Sequence, residues 1–109
     1  MVERKSIGIE KFGLSPEAIK MICEVFTRHP EVRFVKIFGS RAAGHFKNNS
    51  DVDLVLWGNL NLDLTGRILH ELEELPLPFM FDVENYNAIE QPKLKQQIDE
   101  FGKILYSKN

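Results

Sequence analysis

The run Asp51-Val52-Asp53-Leu54-Val55-Leu56-Trp57 sets two acids at alternate positions at the mouth of a nearly continuous apolar stretch. Such a run reads as a strand, covered on at least one face and central in its sheet. Successive side chains on a strand alternate between faces, so Asp51 and Asp53 point the same way, with Cα atoms roughly 6.5–7 Å apart. Two carboxylates on one face repel unless positive charge lies between them. A hard cation such as Mg²⁺, which takes oxygen ligands and shares them with phosphates, meets that need. Upstream, Phe38-Gly39-Ser40-Arg41 closes another β-rich stretch. The Gly39-Ser40 turn offers bare backbone N–H groups and a hydroxyl, which suit a phosphate. A metal site beside a phosphate cradle points to phosphoryl or nucleotidyl transfer.

The surrounding pattern predicts a small α/β fold. Ser15 caps and Pro16 starts a helix. Leu14 and Ile19 are spaced for a hydrophobic staple, and Ile19, Ile22, Cys23 and Phe26 form one apolar face. Pro30 ends this helix near His29. Val32 to Phe38 reads as a strand, and Gly39 to Ser50 as a polar loop with a helical turn after Ser40. Leu64, Ile68, Leu69, Leu72 and Leu75 mark a second helix from Leu62, closed by Pro76 and Pro78. Phe79 to Glu84 reads as a third strand. Pro92 opens a last helix carrying Leu94, Ile98 and Phe101, stopped at Gly102. Ile104-Leu105-Tyr106 reads as an edge strand or a docked tail. The expected architecture is a sandwich of helices on a small mixed β-sheet. The helical crossover between the second and third strands makes them parallel and brings Asp82 to the cleft of Asp51 and Asp53.

With 109 residues, one domain over 1–109 is expected. The net charge of −2 argues against general nucleic-acid binding, which needs a basic surface, yet permits one bound nucleotide. Eight Phe residues in so short a chain suggest that some apolar surface serves an interface. The single Cys23 excludes an internal disulfide and fits a reducing compartment. Met1 to Glu10 shows no apolar signal-peptide run, and no stretch approaches the ~20 apolar residues of a membrane span. A cytoplasmic location is expected.

Gly39-Ser40, ten intervening residues, Asp51-Val52-Asp53 in apolar surroundings, and the later Phe81-Asp82-Val83 together resemble the nucleotidyltransferase superfamily of the DNA polymerase β type. The small size resembles its minimal members, the MNT domains, and the segment Pro92 to Tyr106 looks like their tail. The resemblance implies the nucleotidyltransferase fold and two Mg²⁺ ions held by Asp51, Asp53 and Asp82 as metal ligands and catalytic residues. It implies a nucleoside triphosphate, held at Gly39, Ser40 and Arg41. One ion would orient the triphosphate and the other would activate an attacking hydroxyl. Minimal members resemble antitoxins paired with a small helical HEPN-type protein encoded nearby. The implied activity is therefore transfer of AMP from ATP to a hydroxyl of that partner. Two alternatives stand: the catalytic subunit of a two-chain small-molecule nucleotidyltransferase, and a non-catalytic antitoxin that binds its partner by occlusion.

Each site residue has a plainer reading. Asp51 and Asp53 could be solvated acids at a strand entry, but strands are depleted in Asp. Glu84 rivals Asp82, since alternation sets both on one face; Asp82 lies deeper in the apolar run and is favoured. Asp82 is also a candidate base toward the acceptor hydroxyl. Gly39-Ser40 alone could be an ordinary turn. Arg41 could reach a phosphate or sit in solvent, with equal weight. His45 and Lys47 read as loop surface, His29 and His70 as structural or solvated. Cys23 reads as a packed small hydrophobe, and Glu71, Glu73 and Glu74 as a solvated helix face.

Overall fold

Ser15 makes the first structural decision as expected: its hydroxyl accepts the Ala18 N–H at 3.1 Å, and Pro16 opens helix α1, Pro16–Thr27. In the computed structural model, residues 11–108 are described; the Met1 to Glu10 reading lies outside them. Strand β1, Val32–Phe38, leads through the single helical turn α2, Ser40–Ala43, and a loop into β2, Val52–Gly58. Asn61 caps α3, Leu62–Glu73, by accepting the Leu64 N–H at 2.8 Å. Strand β3, Phe81–Asn85, runs into a 3₁₀ turn, Tyr86–Ala88, followed by α4, Pro92–Phe101, and β4, Lys103–Ser107.

The four strands lie in the order β3-β2-β1-β4. β1 is antiparallel to both β2 and β4, whereas β2 and β3 are parallel, as their helical crossover requires. This is the small mixed α/β sheet expected from the sequence. The tail residues Ile104 to Tyr106 resolve into an edge strand on β1. β3 starts two residues later than predicted, because its ladder with β2 begins at the Val52–Phe81 pair.

The two sheet faces differ. One carries Val35, Ile37, Val52, Leu54, Leu56 and Phe81 against Ile22, Val25 and Phe26 of α1 and Ile68 and Leu72 of α3. This is the main core, and each such side chain contributes about 1.5–3 kcal/mol on burial. The opposite face bears Phe38, Asp53, Val55 and Trp57, and receives α4. Only Ile98 of α4 is buried, so this helix is a partial cover rather than a second core layer.

The phenylalanines depart from expectation. Seven of the eight are buried or half-buried, and only Phe101 is exposed. Their number reflects packing against the sheet and loop more than a free surface.

Candidate active site

Strand pairing assembles the acids. In the parallel β2–β3 ladder Asp53 lies opposite Asp82, and in the antiparallel β1–β2 ladder it lies opposite Phe38. One carboxylate is thus flanked by a second on one side and by the end of β1, where the Gly39-Ser40 turn begins, on the other. Asp51 falls one residue before β2, exposed at the strand entry, and shares the parity of Asp53.

Gly39 has φ +78° and ψ −153°, a conformation reserved for glycine. A Cβ placed there would stand 2.5 Å from the Asp53 Oδ2 atom. The turn therefore passes so close to the Asp53 carboxylate that no side chain fits between them. Ser40 opens α2, and Gly44 closes it in the left-handed region at φ +85°.

A cavity of about 210 Å³ opens on this face, with Gly39, Asp53, Asp82 and Glu84 on its floor and Leu94 and Ile98 of α4 across from them. Larger hollows near 440 and 410 Å³ lie around Glu31 and Asn59. Those residues flank the start of β1 and the end of β2, away from the acid pair, and neither hollow carries a Gly-Ser turn. Chemistry, not size, picks the smaller cavity.

The electrostatics show the strain expected of clustered acids. Burial, then the charges of Asp82 and Asp51, raise the Asp53 carboxyl above its ordinary range. Burial, then Asp82 and Asp53, raise Glu84 likewise. Among the described residues no three acidic, histidine or cysteine side chains already converge as a metal cage. The donors are all hard oxygen, and they fit a hard divalent ion. Glu84, weighed against Asp82 from sequence, faces the same cavity; Asp82 is distinguished by standing opposite Asp53 in register.

Arg41 corrects the sequence reading. It does not sit in solvent. It is 2% exposed, and its Nε and Nη2 donate to the Ser50 carbonyl at 3.1 and 2.9 Å. Nη2 also donates to Asn48 O at 3.2 Å, and Nη1 to Phe12 O at 2.9 Å. The Phe46 and Phe79 rings lie 5.3 and 4.8 Å from the guanidinium carbon. No periodicity marks a buried arginine inside a polar loop, so sequence reasoning could not find this. It also missed the roof residues Leu94 and Ile98 as part of the site, and the stacking of Trp57 on Tyr86 at 4.4 Å.

The remaining polar residues match their plainer readings in part. His45 and Lys47 are exposed. His29 is structural, its Nε2 lying 2.9 Å from Glu71 Oε1, so Glu71 is not a purely solvated member of its cluster. Cys23 is half-buried, with its Sγ 3.5 Å from the Leu105 carbonyl.

Comparison with known proteins agrees with this geometry. The family model described as "Polymerase beta, Nucleotidyltransferase" matches residues 20–109. No curated protein matches the chain. Among solved structures, a chain of a toxin–antitoxin crystal structure with AMP-PNP superposes with TM-score 0.69 at 21% identity, covering 84% of this chain and 74% of that one. A chain of a complex of tri-AMPylated Shewanella oneidensis HEPN toxin with MNT antitoxin gives 0.64 at 18% identity, covering 84% and 71%. A putative nucleotidyltransferase from Sulfolobus solfataricus gives 0.51 at 18% identity, covering 94% and 93%. At these identities the structural likeness shows the fold alone, and the family rests on the match of the family model. The chain belongs to the polymerase β nucleotidyltransferase family.

Proposed function

We propose that this nucleotidyltransferase transfers AMP from ATP to a hydroxyl side chain of a small helical HEPN-type protein, and so acts as its antitoxin in the cytoplasm. The observation that carries the reading is the register that sets Asp53 opposite Asp82 while its carboxylate lies against the bare Gly39 backbone. These acids would offer a divalent cation oxygen ligands beside the turn proposed to hold the phosphates. The match in fold to chains of toxin–antitoxin complexes supports the choice of acceptor. Among the described residues no helix is long and apolar enough to cross a membrane.

Asp51, Asp53 and Asp82 would hold Mg²⁺, two ions in the proposed reaction. Bound there, the metal supplies charge to the phosphates and lowers the pKa of the attacking hydroxyl. The Gly39 backbone and the Ser40 hydroxyl hold the triphosphate and keep the α-phosphorus in line with the incoming oxygen. Asp82, the more exposed of the register pair, takes the proton of that hydroxyl. The oxygen–phosphorus bond forms, the bond to the bridging oxygen breaks, and pyrophosphate leaves. Leu94 and Ile98 shield one wall of the cavity from water, which limits hydrolysis.

The test combines the purified protein, Mg²⁺, labelled ATP and the helical product of the neighbouring gene, and weighs the products by mass spectrometry. The partner should gain whole AMP units, and Asp53→Asn should abolish the gain. Label found only on a small molecule would move the acceptor to the two-chain enzyme reading. Tight binding without transfer of any nucleotide would favour occlusion.

A further inference from the structure

Among the described residues Arg41 is the largest side chain fully enclosed by the protein, yet it sits one residue from Ser40 and ten from Asp51. Burying a guanidinium is costly unless its donors are met. Here four hydrogen bonds take up four of its five N–H groups, all to main-chain carbonyls. Two of the four converge on one oxygen, that of Ser50. The next residue is Asp51. The side chain of the residue after Ser40 therefore grips the peptide that delivers Asp51.

The enclosure is built from three separate segments. Phe46 belongs to the loop and Phe79 to the lead-in of β3. The third is the turn closed by Lys11 and Leu14, which offers the Phe12 carbonyl. Gly13 in that turn has φ +74°, and a Cβ there would lie 2.7 Å from Nη1 and would collide with the Phe46 ring. The turn is shaped around the guanidinium. The polar loop between α2 and β2, held by its ends alone, would sample many conformations, at about 1–2 kcal/mol per ordered residue. A planar five-donor fork suppresses that freedom as a flexible ammonium cannot.

We propose that Arg41 is a positioning residue of the active site: it clamps the Ser50 peptide to the Gly39-Ser40 turn and thereby sets Asp51 beside Asp53 for metal binding, without touching the nucleotide. The proposal rests on the metal-binding reading of the acids. Removing a partner that orients a metal ligand typically lowers metal affinity 10–100-fold.

The experiment uses the full chain with Mn²⁺ followed by electron paramagnetic resonance, and a second titration with ATP in EDTA. Arg41→Lys keeps the charge and loses the fork. Phe46→Leu leaves Arg41 and every acid in place and removes one ring over the guanidinium, and it serves where Arg41 variants fold poorly. Expected is a Mn²⁺ affinity about tenfold lower or more in Arg41→Lys and lower in Phe46→Leu, with metal-free ATP affinity unchanged in both. Selective loss of metal-free ATP binding would overturn the proposal in favour of a phosphate contact. A lower melting temperature with unchanged Mn²⁺ affinity of the folded protein would overturn it in favour of a purely structural role. Failure of the wild-type protein to bind Mn²⁺ would refute the metal reading itself, and the proposal with it.

Discussion

Replacing Gly39 by alanine tests the closest contact in the site. Two costs act at this position. The backbone at φ +78°, ψ −153° is one that side chains avoid, and holding it costs about 1–3 kcal/mol. The new Cβ also meets Asp53 Oδ2 at 2.5 Å, so the carboxylate must swing aside. The first cost is independent of Asp53; the second vanishes when that oxygen is absent. In urea unfolding, Gly39→Ala should lose ~1–3 kcal/mol for backbone strain alone, and more for the clash. In a domain of this size each kcal/mol lowers the melting temperature by roughly 4–8 °C. Gly44→Ala is the control, since Gly44 also has positive φ, +85°, but nothing lies within 4 Å of its Cβ position. A cycle with Asp53→Ala should show a coupling of about 0.5–3 kcal/mol, in the sense that Gly39→Ala is milder without the carboxylate. Nucleotide transfer by folded Gly39→Ala should fall far more than by folded Gly44→Ala. Additive stabilities, together with equal activity in the two glycine variants, would refute the argument that Gly39 is bare in order to seat Asp53.

Two further outcomes follow from the acid cluster. Saturating MgATP should raise the melting temperature, by the equivalent of ~2.7 kcal/mol at 100 times Kd, and Asp82→Asn should remove more of that rise than Glu84→Gln; the reverse order would move the third ligand to Glu84. The Asp53 carboxyl is raised in the folded state by burial first and by Asp82 and Asp51 next, so the folded protein binds its proton more tightly than the unfolded chain. Its stabilising contribution is then full below the ordinary carboxylate range and lost as pH rises through the raised value. Metal-free Asp53→Asn should therefore gain stability relative to wild type as pH climbs toward neutrality, read by thermal melts across pH; a difference that stays constant with pH would contradict the clustering.

What could be read from the chain alone was whatever depends on neighbours in sequence. The Ser15-Pro16 start of α1, the β-branched run of β1 and the apolar run of β2 are local signals. Side-chain alternation put Asp51 with Asp53, and Asp82 with Glu84, before any contact between strands was known. The Gly-Ser turn, the acid pair and the later acid likewise announced a family, because their chemistry constrains spacing along the chain. Element ends slipped by one or two residues where pairing between strands decides them, as at the start of β3.

Other features arise only when distant segments meet. Alternation sets Asp82 and Glu84 on one face; only the parallel register tells which of them stands opposite Asp53, and it is Asp82. Nothing local told that α4 would lay Leu94 and Ile98 over the carboxylates, since an amphipathic helix does not name the surface it will cover. Arg41 shows the limit most sharply. Its residue type and its place after Ser40 suggested phosphate or solvent, and the solvent reading failed. The carbonyls of Phe12, Asn48 and Ser50 and the rings of Phe46 and Phe79 enclose it only after folding. Sequence states which groups can donate and accept, and at what periodicity. Which donor finds which acceptor across dozens of residues is decided by packing, which makes every buried polar group find a partner or bear its desolvation cost.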